Sequence, residues 1–192
     1  MSRTETRLCD EAGMNEILDQ IADGIASSTK PDARLRLIGI RTRGVSLARR
    51  LAERIAAKIE KAVPVGAVDI TLYRDDLSAF PHWPVLFGTE IPFEVEGADL
   101  FLVDDVVFTG RTVRAAINAI CDLGRPARIR LAALVNRGPR ELPIVPDITG
   151  LDVGEDLSRP VFVRLSEVDG VDEIIQVDDT AHPDGIVARP RS

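Results

Sequence analysis

Lysine is nearly missing from this chain: of its 24 basic residues only Lys30, Lys58 and Lys61 are lysines. Arginine is the better bidentate partner for phosphate, yet the base composition of the gene explains the bias equally well. Cysteine is scarce too. Cys9 and Cys121 have neither the spacing of a metal site nor the number needed for a disulfide framework. His82 and His182 are the only histidines, and they offer no catalytic triad or metal cluster. No apolar run approaches the roughly 18 residues of a membrane-spanning helix, and the opening "MSRTETRLCDEAG" lacks the apolar centre of a signal peptide. A soluble, cytoplasmic protein is the expectation. The formal net charge of −7 gives no global attraction to nucleic acid or anionic membrane. No G-x-G-x-x-G follows a strand, and "GIRTRGVS" carries Val45 where a Walker phosphate loop needs lysine, so neither familiar nucleotide motif is present.

What is present suits one domain over residues 1–192, with 45% hydrophobic residues to build its core. There is no internal repeat. Ile17, Ile21 and Ile25 predict an amphipathic helix, as do Leu47, Leu51 and Ile55 within 45–60. "LRLIGI" (35–40), "GAVDITLY" (66–73), "DLFLVDD" (99–105) and "RIRLAALVN" (128–136) read as strands. Residues 111–124 read as a helix closed by Gly124, and 160–177 as one or two more strands. Residues 74–97 hold five prolines or glycines and no helical period, which predicts a long loop; 178–192 read as a flexible tail. Apolar strands alternating with helices predict a parallel sheet covered on both faces. Such sheets bind ligands beyond the carboxyl ends of their strands, where "RTRG", "VVFTG" and "NRGPREL" lie.

One of those loops combines two chemistries. "LFLVDDVVFTGRTVRAAI" (100–117) ends a buried strand in Asp104 and Asp105, then turns through Thr109 and Gly110 into a helix. A lone acidic pair at a strand end is most often simply solvated. Here, however, Gly110 lets the backbone turn its N–H groups inward, Thr109 and Thr112 add hydroxyls, and Arg111 adds charge. Amides and a helix start aimed at one point make an anion site. Carboxylates for hydroxyls or a metal, a sugar's width from a phosphate cradle, suit a ribose 5-phosphate.

These residues resemble the signature of type I phosphoribosyltransferases for phosphoribosyl diphosphate (PRPP). "GIRTRGVSLARRLAERI", "DITLYRDDLS", "LGRPARIRLAALVNRGPRELPI" and "DEIIQV" extend the resemblance, from about Leu8 to Val177, to the PyrR family of pyrimidine operon attenuators and uracil phosphoribosyltransferases. The resemblance implies that family's α/β fold: a mainly parallel central sheet flanked by helices, with a flexible hood over about 71–97. It implies a transferase of pyrimidine salvage that makes UMP and diphosphate from uracil and PRPP, with magnesium held mainly by PRPP rather than directly by protein. Asp104 and Asp105 would bind the ribose hydroxyls. Val106, Val107, Phe108, Thr109, Gly110, Arg111 and Thr112 would hold the 5′-phosphate. Arg41, Thr42, Arg43 and Gly44, with Arg74 from the hood, would meet the diphosphate. Val135, Asn136, Arg137, Val161 and Phe162 would border the base, with Asn136 where the family commonly has Asp. A homodimer or higher oligomer is expected.

The same resemblance implies a second role, binding RNA in response to uridine nucleotides such as UMP and UTP. At the positions where that family places basic residues, this chain carries Asp19, Asp23 and Ser28 on the first helix, and Pro139, Val145 and Leu151 later; only Arg140 remains. Asp19 and Asp23 lie four apart on one helix face and would repel a phosphate backbone. Transfer retained and RNA attenuation lost or rebuilt is therefore the expectation. An alternative RNA surface would use Arg125, Arg128 and Arg130, which could equally cap a strand.

Overall fold

The structure, a computed structural model, describes residues 4–73, 88–154 and 159–178. In chain order the elements are β1 (Thr4–Cys9), α1 (Glu11–Ser28), β2 (Leu35–Ile40), α2 (Arg43–Ile59), β3 (Val65–Val68), a 3-10 turn (Thr71–Tyr73), β4 (Asp99–Val107), α3 (Arg111–Cys121), β5 (Arg128–Asn136), β6 (Ile148–Asp152), β7 (Val161–Arg164), α4 (Ser166–Asp169) and β8 (Glu173–Asp178). Five strands form a sheet in the order β3-β2-β4-β5-β6, every neighbouring pair parallel. This is the expected sheet, with β4 at its centre.

Alternation along the central strands fills two core layers. Phe101 and Val103 face the layer under α1 and α2, joined there by Met14, Leu18, Leu47 and Leu51. Leu100 and Leu102 face the layer under α3, with Val113, Ala116 and Ile120. Burial on both faces is why β4 and β5 read as continuous apolar runs.

The remaining strands depart from the sequence reading. β7 and β8 do not extend the parallel sheet; they form a separate antiparallel sheet, β1-β8-β7. Only 165–172 joins β7 to β8, too short for a parallel crossover of a dozen residues or more. β1 escapes sequence reading because its residues are almost all exposed and show no apolar face; its order comes from pairing with β8. The strand expected over 66–73 stops at Val68, where the Asp69 carboxylate accepts from the Thr71 and Gly88 amides and turns the chain. α3 ends at Cys121, and Gly124 lies in the following turn at φ 152°. Arg74, most of the expected hood and all but the first residue of the tail fall outside the described residues. No helix among the described residues is long and apolar enough to cross a membrane.

Candidate functional site

Two loops meet at the carboxyl edge of the parallel sheet. Asp104 and Asp105 lie within β4, only 3% and 5% exposed, and the strand runs on to Val107 before the turn. Asp104 pairs across to Ala133 of β5, and its Oδ1 accepts from the Asp105 amide at 3.0 Å. The loop after β2 sits directly against them. A Cβ on Gly44 would lie 2.5 Å from the Val103 carbonyl oxygen and 3.5 Å from the Asp104 Cα. One on Gly39 would lie 2.4 Å from the Gly44 carbonyl oxygen. Strand β2, the start of α2 and strand β4 thus touch backbone to backbone, which only glycine permits. This brings the start of α2, at Gly44, beside the acids.

Helix starts differ across the molecule in a way that bears on anions. At α1 the Asp10 side chain caps the helix, accepting from the Gly13 amide at 3.0 Å. α2 and α3 begin at Thr42 and Gly110 with no side-chain cap, and Gly110 takes φ 91°. These two starts lie at the carboxyl edge, flanking Asp104 and Asp105. Their first-turn amides and the positive ends of their dipoles face that region without a carboxylate of their own. Thr109, Gly110, Arg111 and Thr112, the candidate phosphate residues, lie at the start of α3. Arg111 is exposed and paired with Glu141 at 2.5 Å. Val106 is half-buried against the core, Val107 is fully buried in it, and Phe108 lies at 4.5 Å beneath the Arg137 guanidinium.

The candidate diphosphate residues are already engaged. Arg41 Nε donates to the Gly88 carbonyl at 2.9 Å and its guanidinium pairs with Glu90. Arg43 makes a two-point bond to Asp169, 2.6 and 3.1 Å, which raises the Arg43 pKa. Burial pushes the Asp169 carboxyl up, but hydrogen bonds from Arg43 and the Leu165 amide outweigh it and hold it below the ordinary aspartate value.

On the base side, Val135 and Val161 are core residues, so their side chains serve packing. Phe162 is half-buried and pairs across to Ile175. Asn136 donates to Asp152 at 2.7 Å; the Gly154 amide and then Asn136 lower the Asp152 pKa.

Arg140, expected as the surviving RNA contact, is partly buried, and its guanidinium donates to the carbonyls of Val107, Phe108 and Arg137 and to the Asn136 side chain. Burial lowers its pKa. It ties the phosphate loop to the base-side loop. Backbone bonds add to that tie, since the Glu141 and Leu142 amides both donate to the Thr109 carbonyl.

Sequence reading missed Asp169 and its neighbours. Arg50 binds Glu167, Asp172 and Ser166 at 2.6–2.9 Å, more than a hundred residues away along the chain. The acids of "SEVDGVD" were visible, but nothing local assigned them partners.

A family model described as the phosphoribosyl transferase domain matches residues 10–161. Among curated relatives, the bifunctional protein PyrR of Pelotomaculum thermopropionicum is 50% identical over 175 residues, 91% of this chain and 97% of that protein. The Thermus thermophilus PyrR is 48% identical, covering 90% of this chain and 95% of its own length. The chain belongs to the PyrR family of phosphoribosyltransferases. Solved structures agree on the fold. The hypoxanthine-guanine phosphoribosyltransferase of Bacillus anthracis superposes with a TM-score of 0.68 at 13% identity, over 92% of this chain and 99% of the other. The Trypanosoma cruzi hypoxanthine enzyme, in a ternary substrate complex, gives 0.67 at 17% identity, over 88% and 92%. The five-stranded parallel sheet with its flanking helices is thus the type I phosphoribosyltransferase fold, and the carboxyl edge described above is where the family signature falls.

Proposed function

We propose that this protein transfers the phosphoribosyl group of PRPP to N1 of uracil, releasing diphosphate and forming UMP. One observation carries the reading: two uncapped helix starts flank a pair of buried carboxylates at one sheet edge. The start of α3 suits the 5′-phosphate, Asp104 and Asp105 suit the ribose hydroxyls, and the loop 41–44 suits the diphosphate. The bond from C1′ to the diphosphate oxygen breaks with its electron pair leaving on diphosphate. The N1 lone pair forms the new bond and the N1 proton is lost. Positive charge develops on the ribose between these events, beside two carboxylates, which favour it. Arg43 and the α2 amides would receive the departing charge.

Magnesium fits this donor set. Among the described residues no group of three or more His, Cys, Asp or Glu forms a cage, whereas a hard, reluctantly dehydrated ion is well served by diphosphate oxygens, water and one or two carboxylates. When bound it would neutralise charge on the diphosphate. Uracil as acceptor rests on the family. Base-dependent diphosphate release from Mg–PRPP tests it, with uracil expected to outrun hypoxanthine and guanine.

A second role is binding RNA, and the charge layout favours the reading that it has been lost or rebuilt here. Arg140 is committed beneath the phosphate loop. Of the alternative surface Arg125, Arg128 and Arg130, the last two pair with Asp99. The repulsion expected from Asp19 and Asp23 is smaller than the sequence suggests, because Arg54 and Lys58 of α2 pair with them. Among the described residues these pairings reduce the free positive charge that an RNA backbone requires.

A further inference from the structure

We propose that Asp169 is a positioning residue: it orients the Arg43 guanidinium for the diphosphate group and couples the diphosphate loop to the base-side strand β7. The proposal rests on the phosphoribosyl-transfer reading above. Arg43 is the first residue of α2, next to the glycine that touches β4. Its Nε and Nη2 grip the two oxygens of Asp169, and the side chains are 22% and 18% exposed. Asp169 Oδ2 also accepts from the Leu165 amide at 2.9 Å, which pins the carboxylate to the end of β7.

Anchorage alone does not explain this pair. Seven residues along the same helix, Arg50 already holds the segment 166–172 through Ser166, Glu167 and Asp172. A second arginine adds little to an anchor of that strength. It does add a fixed plane to a guanidinium near the acids, which Asp105 also helps keep charged. Gripped along one side, the planar fork keeps Nη1 for another acceptor, and its orientation is set before ligand arrives. The pair also joins two elements that contact different halves of the substrate, so order in one favours order in the other.

Electrostatics and orientation make opposite predictions for Asp169→Asn. Removing the carboxylate strengthens the positive field on an anion, so a purely electrostatic role makes Mg–PRPP bind more tightly. Loss of orientation makes it bind more weakly. Calorimetric titration of Mg–PRPP without base, on the full chain, separates them. We expect Asp169→Asn to weaken binding about tenfold, as befits one charge-assisted fork, and Asp169→Glu to recover part of that loss. Arg43→Ala should weaken binding at least as much, and the double variant should match Arg43→Ala alone. Asp172→Asn, which weakens the Arg50 anchor, should lower the melting temperature while leaving Mg–PRPP affinity within about twofold. Unchanged or tighter binding by Asp169→Asn overturns the proposal, as do additive losses in the double variant. The wild-type arm tests the transfer reading separately: no binding of Mg–PRPP removes that reading itself, and binding without uracil turnover removes only the choice of base.

Discussion

At the residue scale the proposal turns on Asp104 and Asp105, the buried acids of β4. Replacement by Asn keeps their shape and removes their charge, so Asp104→Asn and Asp105→Asn should each retain cooperative unfolding while turnover falls. Stabilisation of transition-state charge is worth roughly 3–4 kcal/mol, which amounts to two to three orders of magnitude in rate. Steady-state kinetics beside a thermal melt checks this, and near-normal turnover in both variants would remove the ribose assignment. Arg140 makes a different prediction. In Arg140→Met the aliphatic stem survives, but the carbonyls of Phe108 and Arg137 lose the guanidinium as donor, while that of Val107 keeps the Arg137 amide. A buried acceptor left unpaired costs about 1–3 kcal/mol. The melting temperature should drop, and UMP affinity should drop with it. Uridine, which lacks the phosphate, should lose much less. The acidic pair stood out in the sequence because its carboxylates and the Thr-Gly turn into α3 lie within eight residues. The task of Arg140 did not, because two of its four partners, Val107 and Phe108, lie more than thirty residues upstream.

Among the elements, the contact of β2, α2 and β4 is the part most sensitive to a single atom. Gly39→Ala and Gly44→Ala place a methyl group 2.4–2.5 Å from neighbouring backbone. Relief requires the start of α2 to move away, at about 1–3 kcal/mol for overpacking of this kind. Denaturant titration should show that loss, and Mg–PRPP affinity should fall with it because the loop 41–44 moves too. The parallel sheet was readable from apolar runs and helical periods. The antiparallel sheet was not, because β1 has no apolar face and β7 and β8 are short. The junction between the two sheets depends on Arg43 and Arg50 meeting acids far along the chain, and it has a pH signature. Burial opposes the charged forms of Asp169 and Asp172, and their arginine hydrogen bonds overcome it; the Arg50 bond lowers Glu167 directly. All three folded pKa values therefore lie below the ordinary 3.8 and 4.5. The folded state binds fewer protons than the unfolded chain, so stability from the junction is complete above about pH 4.5 and is lost as pH falls through the lowered values. Melts in the acid range should show this slope, reduced in Asp172→Asn.

For the whole molecule, charge pairing bears on whether the chain has one role or two. Arg7, Arg34, Arg54, Arg128 and Arg164 each face a carboxylate, so an arginine-rich chain presents less free positive charge than its composition suggests. Filter binding with a family attenuator RNA near physiological salt should give only weak retention, with no response to uridine nucleotides; tight, nucleotide-dependent binding would restore the second role. Association into at least a dimer is proposed from the family, and light scattering at micromolar concentration should find no monomer. Phosphoribosyl transfer to uracil is the central claim, and one assay meets it directly: diphosphate release from Mg–PRPP with and without uracil, for the wild-type chain and Asp105→Asn. The account predicts uracil-dependent release with matching UMP in the wild type, falling by at least a hundredfold or so in the variant. Release that does not depend on uracil, or that survives the substitution, would contradict it.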